Sequence, residues 1–388
     1  MITPTAYIVL ISLAFVLSWM AFRPTLRWAQ HHHVEDKPNT RKLQDHPIPM
    51  LGGVAIAFGI FVPLIIAQFY FHLPDMGYQL VAMAAMLILG VLDDLYDIPA
   101  WLRFIIEMLL VWLLLWGTES LISNFHGLWG ITTPISMYLA LPLSIIAGVG
   151  IINSINLIDG VDGYSSGYGI MANLLFAIVF WVLDCPTQGL FSIIAAAALI
   201  PFFFHNVFGK KTKMYLGDGG SLLIGMIMAC DVFSLLSQSP NTLAADASIG
   251  IVALALAILS IPVFDTIRVM FARIFRGQSP LLPDKTHLHH RYIALGYSHV
   301  GTSFTILFQN LIIVALWWIC YRLGGSIDLQ FWLVVFLSAL ATIGFYYGTE
   351  YDERHHNRIT KCLRSCIKRT KIEKSAFWIH LQEWVDAL

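Results

Sequence analysis

Two adjacent carboxylates end an apolar run in the segment GVLDDLYDI. They are Asp93 and Asp94, and Asp97 follows three residues after Asp94. Neighbouring side chains on a helix point in different directions, so one carboxylate can bind a cation or accept a proton while the other orients it. Helix-capping aspartates in a solvated loop have the same pattern, so the pair alone leaves both interpretations open.

A second group of oxygen ligands occurs in NSINLIDGVDG, where Asn156, Asp159 and Asp162 are spaced three residues apart. Side chains at this spacing can line one side of a short helical turn. Oxygen ligands without cysteine suit Mg²⁺ or Mn²⁺ rather than Zn²⁺. The alternative is a turn rich in Asx caps.

Asp218 lies among glycines in KKTKMYLGDGGSLLIG, directly before another apolar run. Backbone amides at a helix start can receive a phosphate, and an aspartate there can hold the metal of that phosphate. The GK[ST] ending of a Walker A loop is missing. A glycine-rich turn alone is a weak indication of a phosphate or metal site. This segment therefore supports such a site only together with the two acidic segments described above.

Three histidines and an arginine are packed into DKTHLHHR: His287, His289, His290 and Arg291. Zinc is the obvious competitor, but no cysteine or second histidine pair accompanies them. Imidazoles and a guanidinium suit a diphosphate and sugar hydroxyls better. Lys37 in VEDKPNTRK adds a cation before the PMLGG turn. It could bind substrate, or it could be part of the ordinary positive charge on the cytoplasmic side of a membrane protein.

The composition predicts that these groups lie in a membrane protein. Hydrophobic residues make up 57% of the chain and charged residues only 12%, against about 25% charged in soluble domains. Such a chain has too little polar surface to cover itself. We predict an all-α, polytopic fold with eleven spans: 4–22, 51–71, 79–92, 101–118, 136–155, 163–183, 189–206, 219–237, 247–269, 303–322 and 330–348.

Lysine and arginine predict the orientation of the spans. With eleven spans, all basic residues but Arg322 fall on one side, which positive-inside counting makes the cytoplasm. We therefore expect an external N-terminus, a cytoplasmic C-terminus and a functional site at the cytoplasmic face. Residues 1–348 are expected to form one multi-span domain. Residues 349–388 form a basic tail whose end is predicted to be either an interfacial amphipathic helix or a helix docked on the protein's own loops.

Five segments, in this order, resemble the polyprenyl-phosphate N-acetylhexosamine-1-phosphate transferases of the glycosyltransferase 4 or MraY-like superfamily. They are VEDKPNTRK, GVLDDLYDI, NSINLIDGVDG, YLGDGGSLLIG and DKTHLHHR. The HLHH form is similar to the branch that contains WecA and TagO, whereas MraY typically has three consecutive histidines there. The resemblance runs over residues 35–300.

This resemblance implies an enzyme of the inner membrane of a bacterium, acting on the cytoplasmic face. It would transfer N-acetylhexosamine-1-phosphate, most simply GlcNAc-1-phosphate, from a UDP-sugar to undecaprenyl phosphate and release UMP. The reaction would start O-antigen, enterobacterial common antigen or a related polymer. UDP-GalNAc or UDP-MurNAc-pentapeptide as donor is the alternative within the family. Both direct attack by the lipid phosphate and a carboxylate nucleophile remain open. A multi-span transporter is the alternative from another class.

Roles for single residues also follow from the resemblance. Asp218 and Asn156 look like ligands of Mg²⁺, with Mn²⁺ as a substitute, and Asp93 and Asp94 like the pair that orients or deprotonates the lipid phosphate. The predicted substrate-binding residues are Lys37, Arg103, Asp159, Asp162, His287, His289, His290 and Arg291; of these, Asp162 resembles the residue that contacts uracil. The expected partners are the nucleotide sugar, the polyprenyl phosphate and the bilayer, with a homodimer by family resemblance and no nucleic acid.

Overall fold

The chain folds as a bundle of α-helices in a computed structural model, which describes residues 4–36, 47–71, 76–237, 248–280, 286–355, 360–361, 363–364, 367 and 375–387. The helices are α1 Pro4–His31, α2 Gly52–Phe71, α3 Met76–Tyr96, α4 Ala100–Thr118, α5 Met137–Leu157, α6 Tyr164–Val182, α7 Pro186–Phe208, α8 Gly217–Leu236, α9 Ile251–Ile258, α10 Ser260–Phe275, α11 Leu288–Leu295, α12 His299–Arg322, α13 Ile327–Ala339, α14 Phe345–Arg354 and α15 Ala376–Ala387. A π-helical turn, Leu340–Gly344, joins α13 to α14.

The number of spans agrees with the sequence-based prediction. Among the described residues, ten helices are long and apolar enough to cross a membrane, with Ile327–Arg354 counted as one of them. The pair α9 and α10 brings the number to eleven if the two form one span. The all-α, polytopic fold is therefore confirmed. The predicted span over 247–269 is not a straight helix, because α9 and α10 meet at a bend of 77°.

Asn310 of α12 stabilises this bend. Its side-chain oxygen accepts hydrogen bonds from the Ser260 hydroxyl (2.8 Å) and the Ile261 amide (3.2 Å). Its side-chain amide donates to the Ile258 carbonyl at 3.0 Å. A broken helix leaves backbone groups without their usual partners, and inside a membrane these must be satisfied by protein. One buried asparagine supplies them here.

Helix α8 lies at the centre of the bundle and is almost entirely buried. It packs against α2, α3, α5, α6 and α7, which agrees with its being apolar on all sides. The packing at its N-terminal end is very close: a Cβ atom added to Gly53 of α2 would lie 2.4 Å from the Cα atom of Gly220. The glycines of the PMLGG and GDGGS segments thus allow two backbones to meet beside Asp218.

A short β-hairpin connects the first helix to this region. Strand β1 (Glu35–Asp36) pairs antiparallel with β2 (Ile48–Pro49), and Met50 forms an isolated parallel bridge with Tyr215. The Tyr215 amide donates to the Pro49 carbonyl at 2.8 Å. The segment before α2 is therefore bound to the loop before α8. Lys37 lies outside the described residues.

Candidate active site

A cavity of about 590 Å³ lies where the loops of α3, α5, α7 and α11 meet the start of α8. Of the described residues, seven aspartates and no lysine or arginine line it. The aspartates are Asp36, Asp93, Asp94, Asp97, Asp159, Asp162 and Asp218. Six of them come from the three acidic segments of the sequence, which the fold brings together.

Asp93 stabilises the corner between α3 and α4. Helix α3 ends at Tyr96, and the next residue, Asp97, has a left-handed conformation (φ 53°) that aspartate tolerates. The Asp93 carboxylate accepts hydrogen bonds from the Ile98 amide and from Arg103 Nη1, both at 2.8 Å. Asp93 is therefore a buried carboxylate that is bound by a backbone amide and by Arg103.

Asp94 binds the N-terminus of α8. Its two carboxylate oxygens accept hydrogen bonds from the backbone amides of Asp218 (2.9 Å) and Gly219 (3.1 Å). Gly217 has φ +73°, and a Cβ atom there would lie 2.5 Å from Asp94 Oδ2, so glycine is required. The sequence suggests that the amides at the start of α8 receive a phosphate. In the structure the amides of Asp218 and Gly219 donate to Asp94 instead, because a carboxylate at a helix N-terminus satisfies the same donors.

Asn156 and Asp218, the two residues predicted to hold a metal, are in direct contact. The Asn156 side-chain amide donates to Asp218 Oδ1 at 2.7 Å and to the Ser221 hydroxyl at 2.9 Å. Among the described residues, no three Asp, Glu, His or Cys side chains are close enough to form a metal site by themselves. Mg²⁺ fits such a site, because it is usually held by one or two carboxylates together with waters and substrate phosphates.

Arg103 of α4 forms ion pairs with three carboxylates. Its guanidinium lies 2.8 Å from Asp93, 3.4 Å from Glu107 and 3.7 Å from Asp218. Glu107 is fully buried one turn deeper in α4 and is also bound by the side-chain amide of Asn153. The arginine therefore lies against the cavity wall with a fixed orientation.

Asp162 is held by residues from two other elements. Lys213 Nζ lies 2.6 Å and His299 Nδ1 3.3 Å from its Oδ2 atom. Burial alone would raise the pKa of the Asp162 carboxyl, but the contact with His299 and the charge of Lys213 outweigh burial and lower that pKa. Asp162 is therefore ionised at neutral pH.

Asp159 differs from Asp162 in its charge environment. Burial, followed by the negative charges of Asp218 and Asp94, raises the pKa of the Asp159 carboxyl well above its ordinary value. Such crowding of carboxylates favours a bound cation, because a cation reduces the repulsion among them. This is a second observation that fits a divalent metal.

The histidine segment contributes one of its four predicted residues to the cavity wall, His290. His287 is buried and lies 3.1 Å from Asp265 of α10, and Asp265 also accepts from the Leu288 amide and from Arg268. His289 is buried beside Tyr164, and burial lowers the pKa of its imidazole well below the ordinary value.

Arg291 lies apart from the cavity. It donates to the Thr349 hydroxyl at 2.8 Å and to Glu353 at 2.7 Å, both on α14. In this structure Arg291 thus connects α11 to α14.

Several residues of the site carried little signal in the sequence. Asn206, at the end of α7, accepts from the Gly163 amide (2.6 Å) and donates to the Met214 carbonyl (3.0 Å), so it joins the loops before α6 and α8. Lys213 is one of three lysines that precede Asp218 in the chain, and nothing in the sequence distinguishes it from Lys210 and Lys211. A polar residue at the end of an apolar run was the available signal for Asn206. His299, at the start of a span, offered none.

A second cavity, of about 780 Å³, lies beside the first and is mainly apolar. It is lined by α4, α5, α9, α10 and α13, with residues such as Phe104, Met108, Ile145, Val149, Leu256, Val263, Ile267 and Phe331. Arg103 also lines it. Since Arg103 pairs with Asp93 and Asp218 in the wall of the acidic cavity, the two cavities meet at this arginine.

The family model of glycosyl transferase family 4 matches residues 76–238. This range includes α3 to α8 and holds Asp93, Asp94, Asn156, Asp159, Asp162 and Asp218. Over these residues the chain is similar to this family.

Named relatives agree with this assignment. The chain is 28% identical over 344 residues to a probable undecaprenyl-phosphate N-acetylglucosaminyl 1-phosphate transferase of Bacillus subtilis, covering 86% of this chain and 89% of the relative. It is 26% identical over 265 residues to the undecaprenyl-phosphate alpha-N-acetylglucosaminyl 1-phosphate transferase of Escherichia coli K12, covering 68% and 70%. The enzyme of that name from Yersinia pestis is 27% identical, covering 77% and 78%.

Proposed function

We propose that this protein transfers GlcNAc-1-phosphate from UDP-GlcNAc to undecaprenyl phosphate, giving undecaprenyl-diphosphate-GlcNAc and UMP. The observation that carries the proposal is the junction of the two cavities at Arg103. A reaction between a water-soluble nucleotide and a lipid needs a polar and an apolar site that share one wall. The family and its named relatives favour this reaction over transport, and GlcNAc over other sugars.

The acidic cavity is proposed to hold the diphosphate of the nucleotide sugar. A diphosphate would be repelled by the aspartates that line it, so a cation must lie between them. Asp218 and Asn156 are proposed to hold Mg²⁺, which would neutralise charge on the phosphate oxygens. Asp94 fixes Asp218 in place by binding the start of α8, and Asp162 is proposed to contact the uracil ring.

The apolar cavity is proposed to hold the first part of the polyprenyl chain. The phosphate of that lipid would then lie near Arg103, which has the charge and the planar donor geometry to bind it. Asp93 orients the guanidinium through the 2.8 Å hydrogen bond. In this arrangement the acceptor phosphate approaches the β-phosphorus from the side of Asp93, and catalysis is mainly positioning and charge stabilisation.

We further propose that the acidic cavity faces the cytoplasm of a bacterial inner membrane. Positive-inside charge supports this orientation, as it supports a cytoplasmic C-terminus. A reporter that is active only in the cytoplasm, fused after residue 388, should be active. A silent reporter, with a periplasmic reporter active at the same position, would contradict the orientation.

The transfer reaction is tested with the purified protein, undecaprenyl phosphate, Mg²⁺ and radiolabelled UDP-GlcNAc in detergent. Butanol-extractable label is expected, together with UMP in equal amount. EDTA should abolish both products, and Mg²⁺ or Mn²⁺ should restore them. UDP-GalNAc and UDP-MurNAc-pentapeptide are the matched competitors. If no UDP-hexosamine gives a lipid product, the proposal is wrong.

A further inference from the structure

Helix α15 is docked against the loop that leads from α7 to Asp218. Near its end, Asp386 accepts hydrogen bonds from three consecutive backbone amides of this loop: Lys210 at 3.0 Å, Lys211 at 2.9 Å and Thr212 at 3.1 Å. The Thr212 hydroxyl donates to the same carboxylate at 3.0 Å. One carboxylate thus fixes the conformation of three loop residues, as an anion does in a concave arrangement of amides.

Other contacts fix α15 in this position. Trp378 and Val385 are buried, and the Trp378 ring lies 4.9 Å from that of Phe208 at the end of α7. Arg23 of α1 donates to the Asp386 carbonyl at 3.1 Å. Burial would raise the pKa of the Asp386 carboxyl, but its backbone hydrogen bonds outweigh burial and lower that pKa. The contact is therefore made by a carboxylate.

The loop residues held by Asp386 directly precede a residue of the site. Lys213 follows Thr212 and lies 2.6 Å from Asp162. The next residue, Met214, is bound to Asn206, which also binds the loop of Asp162 at Gly163. A displacement of residues 210–212 would therefore move Lys213 and change the position of Asp162.

We propose that Asp386 is a positioning residue for the nucleotide end of the site. It acts through residues 210–212, which it holds so that Lys213 pairs with Asp162. The C-terminal helix thereby becomes a part of the active-site architecture although it contributes no side chain to the cavity wall among the described residues. The proposal rests on the proposed function in one respect, the contact of Asp162 with the nucleotide.

The first experiment needs no catalytic activity. The loop carries lysines at 210, 211 and 213, so trypsin can cleave there when the loop is released. Asp386→Ala should increase the initial rate of cleavage at these bonds, measured by mass spectrometry on the full-length protein. Asp386→Asn, which keeps one acceptor oxygen, should give a smaller increase. Glu383→Gln is the control, because Glu383 lies on the exposed face of α15.

The second experiment measures steady-state kinetics of the same variants. Asp386→Ala should raise KM for UDP-GlcNAc by about fivefold, as expected when a charge-assisted hydrogen bond at the site is weakened. KM for undecaprenyl phosphate should not change, since the lipid cavity is formed by other helices. The KM of Asp386→Asn for UDP-GlcNAc should lie between the values of wild type and Asp386→Ala. The KM of Glu383→Gln should equal the wild-type value.

The outcomes separate the two proposals. Faster cleavage together with a selective rise in KM for the nucleotide supports the role of Asp386. Unchanged cleavage overturns it, and so does faster cleavage with both KM values unchanged. If the wild-type protein makes no lipid product from any UDP-hexosamine, the proposed function fails, and the trypsin comparison still decides whether Asp386 holds the loop.

Discussion

The carboxylate of Asp94 lies 2.9 Å from the backbone amide of Asp218, although the two residues are 124 positions apart in the chain. Through this bond α3 binds the N-terminus of α8, and the Asp218 side chain is left to face the cavity and Asn156. The two aspartates therefore have different tasks: one fixes a helix terminus, and the other offers its oxygens to the cavity.

Asp94→Asn and Asp218→Asn should each reduce kcat of the transferase by at least about 100-fold, comparable to the loss of one stabilising group in other active sites. Both substitutions keep side-chain size and remove charge. In Asp94→Asn one of the two carboxylate oxygens that accept from the backbone amides of Asp218 and Gly219 is replaced by an NH2 group. In Asp218→Asn the proposed Mg²⁺ would lose its carboxylate ligand. The measurement is lipid product formed per mole of purified enzyme at saturating Mg²⁺.

The control for these variants is Asp184→Asn in the link between α6 and α7. Asp184 has a positive φ (55°), which asparagine tolerates as well as aspartate does, and it is not among the residues that line the acidic cavity. Its activity should equal that of wild type. If Asp94→Asn and Asp218→Asn also retain near-normal rates, the site has been assigned to the wrong residues.

The grouping of Asp93, Asn156, Asp162 and Asp218 followed from the sequence, because counting spans and basic residues put their three segments on one face. The all-α fold followed from apolar run length in the same way. Both inferences depend on local features of the chain, since a span must satisfy its own backbone hydrogen bonds.

Contacts between distant segments did not follow from the sequence. The bend between α9 and α10 depends on Asn310, some fifty residues later, and the apolar run gives no sign of it. The amides of Asp218 and Gly219 looked free for phosphate because their acceptor, Asp94, comes from another helix. Arg291 and Glu353 are likewise 62 residues apart.

Arg103→Lys should reduce kcat less than Arg103→Ala does, and both should be well below wild type. Lysine keeps the charge but cannot reach Asp93, Glu107 and Asp218 together, because only the guanidinium has donors on several sides. Arg103→Ala should lower kcat by at least about 100-fold, which is the effect of removing one stabilising hydrogen-bond donor from other active sites. Kinetics with undecaprenyl phosphate as the varied substrate provide the measurement.

Arg322→Lys is the matched control for Arg103, since Arg322 ends α12 beside Trp318 and lines neither cavity among the described residues. It should have wild-type kinetics. Equal activities of Arg103→Lys and wild type would show that charge alone suffices at this position.

Asp159→Asn should stabilise the metal-free protein at neutral pH. The pKa of this carboxyl is raised in the folded state, so the folded state binds more protons than the unfolded one above the ordinary aspartate pKa of about 3.9. The wild-type protein therefore loses stability as the pH rises from the ordinary aspartate pKa to the raised pKa of Asp159. Asp159→Asn has no carboxyl at this position and does not lose this stability. Its advantage in Tm, measured in EDTA, should grow with pH and be absent near pH 4.

Mg²⁺ and Asp97→Asn provide controls for this effect. Mg²⁺ reduces repulsion among the carboxylates, so it should shrink the difference between wild type and Asp159→Asn. Asp97 lines the same cavity, and asparagine keeps its left-handed conformation without strain. If Asp159→Asn is less stable than wild type at pH 8 in EDTA, the charge environment described for Asp159 is contradicted.

Two roles are considered for Arg291: recognition of the substrate, and connection of α11 to α14. The variants Arg291→Gln and Glu353→Gln distinguish these roles. The Arg291 guanidinium contacts Thr349 and Glu353 and does not line the acidic cavity. We expect Arg291→Gln and Glu353→Gln each to lower Tm and to leave KM for UDP-GlcNAc within about twofold, since both break the same partly exposed ion pair. Arg291→Gln also removes the bond to Thr349, and Glu353→Gln the pair with Arg364. The loss of stability in the double variant should be smaller than the sum of the two single losses, because the Arg291–Glu353 pair is lost in both. A KM that rises strongly for Arg291→Gln alone would place this arginine on the substrate, as the family resemblance implies, and would require α11 to turn toward the cavity when the nucleotide binds.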